Sequence, residues 1–275
     1  MFKPSFKIGE IVTNDNIVKE FQCGNMGGMR FSKKKKTLIL VTDHTKGLYD
    51  DIWQGDILHY TGMGKSGDQS LNFMQNKTLT QSHSNGVTVY LFEVIKKGQY
   101  TFRGKVELCD VPYQSNQKDE NGLDRKVWIF PLRLLDDQAE ITYEEFKELQ
   151  KALDKKAKRL PAEDLKKEAE GRQQNDPSYR IVNKSKVYVR DPIIAQYSKQ
   201  RAAGVCQLCG MQAPFKDKDG EWYLESHHID WLSRGGGDTL DNTSALCPNC
   251  HRKMHILDLP EDIVLLKSKS HEVEP

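Results

Sequence analysis

The chain reads Cys206-Gln-Leu-Cys209, then Glu225-Ser-His227-His228-Ile229, then Asn242, then Cys247-Pro-Asn-Cys250-His251, with His255 closing the stretch. Cys206, Cys209, Cys247 and Cys250 form two Cys-x-x-Cys knuckles, the spacing at which four thiolates surround one zinc ion tetrahedrally. Such a site has no open coordination position, so the zinc is expected to be structural. It would clamp the ends of a segment too short to hold itself together by burial.

The histidines need a separate explanation. Four of the chain's eight lie in this stretch, which argues against scatter. His251 and His255 are four residues apart and so share one face of a helix. His227 and His228 are neighbours ahead of Gly235-Gly236-Gly237, as on a strand, and strand neighbours point to opposite sides. One of the pair can join His251 and His255 on a divalent metal while the other acts as a base towards water. Extra zinc ligands, or histidines on a helix surface, are the plainer alternative.

At these residues the sequence resembles the HNH endonucleases, the ββα-metal fold, in the McrA-like subgroup that carries four zinc-binding cysteines. The likeness covers roughly residues 197 to 259. It implies that His228 is the general base that activates the attacking water and that His227 is the metal ligand just before it. Asn242 then matches the middle letter of the motif, His251 the last, and His255 a further ligand found in some members only. Asn242 either binds the metal or orients the base. The implied reaction is phosphodiester hydrolysis, which needs a nucleophile at neutral pH and an electrophile, Mg2+ or another divalent metal, on the phosphate oxygens. A neutral His228 takes the proton from water if its other nitrogen is held in a fixed tautomer. Arg252 and Lys253 stand beside the motif, placed for phosphate contacts.

Bulk properties bound the rest. A length of 275 residues suggests two domains with a connector. With 41 basic and 39 acidic residues the formal charge is only +2, so any DNA-binding surface must be local. Charged residues make up 29% and the mean hydropathy is −0.68, the profile of a soluble chain. No apolar run approaches the ~20 residues of a membrane helix. Met1-Phe-Lys-Pro-Ser-Phe-Lys7 has no apolar core, so no signal peptide is expected. Reduced cysteines then point to the cytoplasm, with Cys23 and Cys109 left over as buried thiols.

The first 135 or so residues read as mostly β. Thr37–Thr42, Val87–Ile95, Tyr100–Leu108 and Val127–Leu132 are short β-branched or aromatic runs, separated by Gly, Asn and Asp. Strands at this spacing suggest a barrel or curled sheet. Between them lies a Gly-rich polar insertion, Tyr60-Thr-Gly62-Met-Gly64-Lys-Ser-Gly67-Asp68-Gln69-Ser-Leu71, continuing through Asn76 and Leu79 to Ser82. It lacks the Gly-x-x-x-x-Gly-Lys-Ser/Thr pattern of a phosphate loop, so by itself it reads as an ordered functional loop.

The same insertion, with Tyr49-Asp-Asp-Ile-Trp53-Gln-Gly-Asp56 before it and Gln99-Tyr100-Thr-Phe-Arg-Gly104 after it, is similar to the SRA (SET and RING-associated) domain and its McrA-linked bacterial relatives. The similarity covers about residues 5 to 135. It implies a domain that binds DNA, flips a modified cytosine out of the duplex and encloses it. A flipped base needs aromatic faces and acceptors for its Watson–Crick edge. Tyr60 is the expected face, with Tyr49 or Trp53 as a second. Asp68, beside Gln69 in the motif, is the expected acceptor for the N4 amine. The alternative is that Tyr60 and Trp53 are core aromatics and Asp68 caps a turn.

Residues 136 to 175 change character. Thr142-Tyr-Glu-Glu145 is a capping box, and Phe146, Leu149, Leu153, Ala157 and Leu160 make one apolar stripe. Pro161 breaks this helix or starts the next, Gly171 is a stop, and 173–178 is a hinge. A helix from Pro192 to Arg201 should then lead into Cys206, with Arg190, Lys199 and Arg201 as candidates to face DNA.

The expected fold class is therefore α+β: an SRA-like curled sheet or barrel over 1–137, a helical connector over 138–178, and a zinc-stabilised ββα-metal domain over 179–275. The expected function is an endonuclease that reads 5-methylcytosine or 5-hydroxymethylcytosine in double-stranded DNA and cuts nearby. A nuclease reading another DNA or RNA feature, and a non-catalytic zinc-stabilised binder, are the alternatives. A single HNH motif cuts one strand at a time, so a homodimer is the simplest route to a double-strand break.

Overall fold

Four consecutive apolar residues, Leu38 to Val41, show why the N-terminal sheet is buried on both faces. Alternate residues of a strand point to opposite sides. Leu38 and Leu40 enter one core with Leu58, Leu91, Phe130 and Leu132, whereas Ile39 and Val41 enter another with Ile17, Phe21, Tyr90 and Phe92. The computed structural model describes residues 2–46, 50–135, 140–171, 177–182 and 185–270. Its backbone divides into two units, one of residues 1–153 with 179–187, the other of residues 154–178 with 188–275.

Among the described residues the first unit is built on twelve strands: β1 (Ile11–Val12), β2 (Met29–Ser32), β3 (Thr37–Asp43), β4 (Ile52–Gln54), β5 (Ile57–Thr61), β6 (Thr88–Val94), β7 (Tyr100–Leu108), β8 (Tyr113–Lys118), β9 (Asp124–Leu134), β10 (Glu140–Ile141), β11 (Tyr179–Val182) and β12 (Ser185–Tyr188). The main path runs β10-β11-β4-β5-β9-β7-β6-β3-β2. Its pairs are antiparallel except β3 with β6, β10 with β11 and β11 with β4. Three helices accompany it: α1 (Asn14–Phe21), α2 (Met74–Thr80) and the start of α3 (Tyr143–Ala157). Thr13 caps α1 in a reciprocal box with Asn16, and the helix buries Ile17 and Phe21. The Phe21 ring meets those of Phe2 and Tyr90 at 5.4 and 5.3 Å. Thr142 and Glu145 form the expected capping box of α3, with bonds of 2.9 and 3.1 Å.

One polar cluster crosses this apolar interior. Glu93 is completely buried and accepts from Arg103 Nε at 2.8 Å, from Arg180 Nη1 at 3.0 Å and from His44 Nε2 at 2.9 Å. Burial alone would raise the Glu93 carboxyl, but the two guanidiniums win and hold it well below the usual range. Arg180 comes from β11, so a segment read from sequence as part of the nuclease domain completes the N-terminal core.

The second unit contains α4 (Ala162–Gly171), α5 (Pro192–Arg201), a hairpin of β13 (Glu225–His228) and β14 (Thr243–Leu246), α6 (Pro248–Leu257) and α7 (Pro260–Ser270). α4 starts after Pro161 and ends at Gly171, and Asp191 caps α5 by accepting from Ile193 N. Ile229, Leu246, Met254 and Leu266 form the core beneath the hairpin. The apolar stripe of α3 is largely spent inside the chain, since Leu149 and Ala157 are 2% and 1% exposed. Most of the hinge read at 173–178 lies outside the described residues. Among the described residues no helix is long and apolar enough to cross a membrane.

Candidate active site

In the antiparallel register His227 faces Ser244 and His228 faces Thr243 across the hairpin, and α6 follows β14 at once. Strand alternation sends the two histidines to different neighbours. The His227 ring meets His251 and His255 of α6 edge-on, with centroids 5.2 and 5.0 Å away. Ring nitrogens of these three residues lie within 4.8 Å of one another. His227 is buried, yet neither of its ring nitrogens has a hydrogen-bond partner. Burial, then the neighbouring rings and Arg190, push its proton affinity down to about 3. Two buried orphan nitrogens beside two more imidazoles are what a cation would satisfy.

Second partners fix the rings. The His251 Nδ1 lies 2.5 Å from Glu225 Oε2, and a carboxylate only accepts, so Nδ1 carries the proton and Nε2 keeps its lone pair. Glu225 is itself held by the Tyr223 hydroxyl at 3.0 Å. His255 Nε2 stands 3.2 Å from His251 Nε2. Two nitrogens bound to one ion at about 2.1 Å, with an angle between about 90° and 110°, would be separated by roughly 3.0–3.4 Å. The three histidines therefore fit a divalent metal.

His228 takes no part in that cluster. Its Nε2 donates to Asp238 Oδ1 at 2.8 Å, and Asp238 Oδ2 accepts from the backbone N of Asp191 at 2.6 Å. The Nδ1 is thereby left as a lone pair. Asn242 points at neither metal nor base. Its amide donates to the carbonyls of Asp230 and Gly237 at 2.9 and 2.7 Å and accepts from Asp230 N at 2.7 Å, stapling the loop that carries Asp238. A Cβ on Gly236 would come within 2.1 Å of Asp230 O, so the loop needs glycine there.

The four cysteines come together as the knuckle spacing requires, with sulfur atoms within 4.8 Å of one another and no disulfide. Burial raises the Cys206 thiol, but hydrogen bonds from the backbone of Cys209, Cys247 and Leu208 outweigh it and bring it below the ordinary value. Four such sulfurs fit a zinc ion in number, type and spacing. Of the other basic candidates, Lys253 is paired with Asp262 at 2.6 Å and Arg201 donates to the carbonyl of Thr243 at 2.9 Å. Arg252 stays exposed.

The residues read as a base pocket are not gathered in the same way. Tyr60 and Trp53 are 3% and 4% exposed within the hydrophobic core, and the Tyr60 hydroxyl donates to Gly28 O at 2.9 Å. Asp68 is exposed and accepts from Lys126 N at 2.7 Å through Oδ1, a bond that ties the loop to β9. Gln69 spans the loop from inside, donating to Gly62 O at 2.6 Å and accepting from Trp128 N at 2.9 Å. Asn76 does the same for Met63, accepting from its N at 2.8 Å and donating to its O at 3.0 Å. Tyr49 lies outside the described residues.

Sequence reasoning missed Asp51 here, although it lies in the quoted Tyr49–Asp56 run. Its Oδ1 accepts from Thr61 N at 2.8 Å, where β5 enters the loop. Burial pushes its carboxyl up to about 6, against the hydrogen bond from Thr61 N and the charge of His44, which pull the other way. It also missed Asp238 and Glu225, which orient His228 and His251. Carboxylates inside a metal-ligand motif were the available signal.

Residues 8–158, more than half of the chain, match the family described as ScoMcrA-like, SRA domain, and residues 206–256 match HNH endonuclease. Over 70 residues the chain is 56% identical to the type IV methyl-directed restriction enzyme EcoKMcrA of Escherichia coli (strain K12), a match covering 26% of this chain and 25% of that one. The structure of the type IV phosphorothioation-dependent restriction endonuclease ScoMcrA resembles it with a TM-score of 0.53 at 21% identity, over 96% of this chain and 60% of that one. The chain thus spans less than two thirds of either relative. On the match over residues 8–158, this chain belongs to the ScoMcrA-like SRA-domain family, and it carries an HNH endonuclease domain after that module.

Proposed function

We propose that the protein is a modification-dependent restriction endonuclease, in which the N-terminal unit reads a modified cytosine by base flipping and the HNH domain hydrolyses a phosphodiester bond nearby. One observation carries the nuclease half: His228, its Nε2 proton committed to Asp238, keeps a free Nδ1 on the strand that also bears His227 of the three-histidine cluster. His228 takes the proton of the attacking water at Nδ1, and Asp238 stabilises the imidazolium that results. His227, His251 and His255 would hold a divalent metal, which supplies electrophilic stabilisation of charge on the phosphate and the departing 3′ oxygen. Asn242 keeps the Asp238 loop in place. Cys206, Cys209, Cys247 and Cys250 would hold a zinc ion that ties the hairpin to its helix.

Asp51, not Asp68, is the base-reading carboxylate in this proposal. A half-buried carboxyl whose Oδ1 is held by Thr61 N and whose Oδ2 remains as an acceptor matches the N4 amine of a flipped cytosine. The relatives' names, methyl-directed and phosphorothioation-dependent, define the substrates to compare. Matched duplexes, unmodified or carrying 5-methylcytosine, 5-hydroxymethylcytosine or phosphorothioate, are incubated with Mg2+ or Mn2+. Cleavage of the cytosine-modified duplexes alone is expected, and His228→Ala should reduce it about 10²–10⁴-fold with zinc content unchanged. Equal cutting of all four duplexes would remove the reading of modified cytosine. A fully active His228→Ala variant would remove the catalytic assignment. Two copies, one site to each strand, would give a double-strand break.

A further inference from the structure

Of the three clustered histidines, His255 has the least to hold it in place. It is exposed in the last turn of α6, and among the described residues its Nδ1 makes no hydrogen bond. His251, by contrast, is oriented by Glu225. An exposed imidazole with no second partner is free to leave the rotamer in which it can bind a metal. A ring from outside the cluster stands where such a partner is needed. Trp231, in the loop after β13, meets the His255 ring with centroids 5.2 Å apart and planes at 59°.

Trp231 is itself fixed at both backbone and ring. Its carbonyl accepts from Arg234 N at 2.8 Å and from Gly236 N at 3.1 Å. Asp230, just ahead, is held by Asn242 at 2.7 Å and by Lys267 at 2.8 Å. The indole Nε1 is buried without a hydrogen-bond partner, so packing and not a polar anchor sets the ring. The Arg234 guanidinium lies over it, 4.1 Å from the centroid, and pairs with the carboxylate of Asp258. Asp258 is the C-cap of α6, its N–H bonded to Met254 O. Arg234 therefore ties the indole to the end of the helix that carries His255.

We infer that Trp231 is a positioning residue for the metal site: backed by Arg234 and Asp258, it holds His255 in the orientation of a third ligand. Its packing does for His255 what the Glu225 carboxylate does for His251. Without it the cluster is reduced to His227 and His251.

This inference rests on the reading of the three histidines as a metal site, and the test separates the two. Mn2+ affinity of the full-length, zinc-loaded protein is measured by calorimetry for the wild type, His227→Ala, His255→Ala, Trp231→Ala, Trp231→Phe and Arg234→Gln. Trp231→Ala and Arg234→Gln are also made in the His255→Ala background. Trp231→Ala should weaken Mn2+ about 10–100-fold, the usual cost of losing a group that orients a ligand. Arg234→Gln should weaken it less, and Trp231→Phe should recover most of the loss. In the His255→Ala background Trp231→Ala should change affinity by no more than about twofold, because the residue it positions has gone. Amide exchange of β13 and β14 should be unchanged in Trp231→Ala. If it is not, Arg234→Gln, at an exposed side chain, decides in its place. Wild-type affinity in the deciding variant would overturn the inference, as would an equal loss with and without His255. If the wild type binds no Mn2+, or binds it equally after His227→Ala, the metal-site reading fails first.

Discussion

Replacing Asp51 by Asn should make the N-terminal unit more stable at neutral pH while destroying its selectivity. Burial holds the Asp51 carboxyl near 6 in the folded chain, against an ordinary value of 3.8. A raised folded value means that Asp51 favours folding only while protonated. Its contribution is fully present below about pH 4, falls as pH rises, and is gone above about pH 6. The shift of about two units corresponds to roughly 3 kcal/mol at about 1.4 kcal/mol per unit, an upper bound for a side chain that keeps some contact with water. Asn keeps an oxygen for the Thr61 N–H and carries no charge to desolvate. Amide hydrogen exchange of β3 and β6 reports the opening of this unit alone, which a whole-chain melt would not. The difference between variant and wild type should be near zero at pH 4 and reach about 2–3 kcal/mol in favour of Asn at pH 8. The same variant should lose preference for modified over unmodified duplex at fixed salt. A stability difference that does not change with pH, or a less stable variant at pH 8, would refute the reasoning.

Three further outcomes are expected. Glu93→Ala takes from Arg180 its carboxylate partner in the core, while Arg103 keeps Glu145 at 2.8 Å, and should cost about 3–5 kcal/mol in the same exchange measurement, because it leaves a buried charge unpaired. Cys247→Ser should release zinc, measured by metal analysis, and collapse the exchange protection of β13 and β14 while β3 and β6 stay protected. Asp238→Asn, which no longer fixes the proton on Nε2 of His228, should slow cleavage by up to about 10⁴-fold without loss of zinc or of DNA affinity.

The residues that were legible in the sequence are those whose chemistry is written in local spacing. Two Cys-x-x-Cys pairs, a His-His dipeptide and two histidines four apart on a helix each imply their geometry, and the structure gathers the four cysteines into one cluster and His227, His251 and His255 into another, with His228 turned to Asp238. The strands of the N-terminal unit were readable for a similar reason, since β3, β6, β7 and β9 are continuous runs of strand-forming residues. Asp238 was marked only by its place inside the histidine motif, and Asp51 was not readable. What distinguishes Asp51 from other aspartates is what packs over it, and that is settled by the fold rather than by local spacing. Asp68 looked the better acceptor because it sits inside a motif, yet its neighbour turned out to be the backbone of β9. Read from sequence, 179–275 belongs to the nuclease domain, which starts directly after the hinge at 173–178. A four-residue strand carries no sign of its partner, and β11 pairs with β4 and β10.

That return of the chain to the first sheet has a consequence for synthesis. Arg180 lies 87 residues after Glu93, beyond α3 and α4. While the chain emerges from the ribosome, the N-terminal unit has Arg103 for Glu93 but lacks the second arginine and the strand that bears it. Its last step must wait until residues past 180 have cleared the exit tunnel. A fragment that ends at residue 137 or 158 stays in that unfinished state. A reader made as an isolated piece therefore needs residues 179–187 restored, as an added peptide or through a linker, before it can be expected to hold its fold.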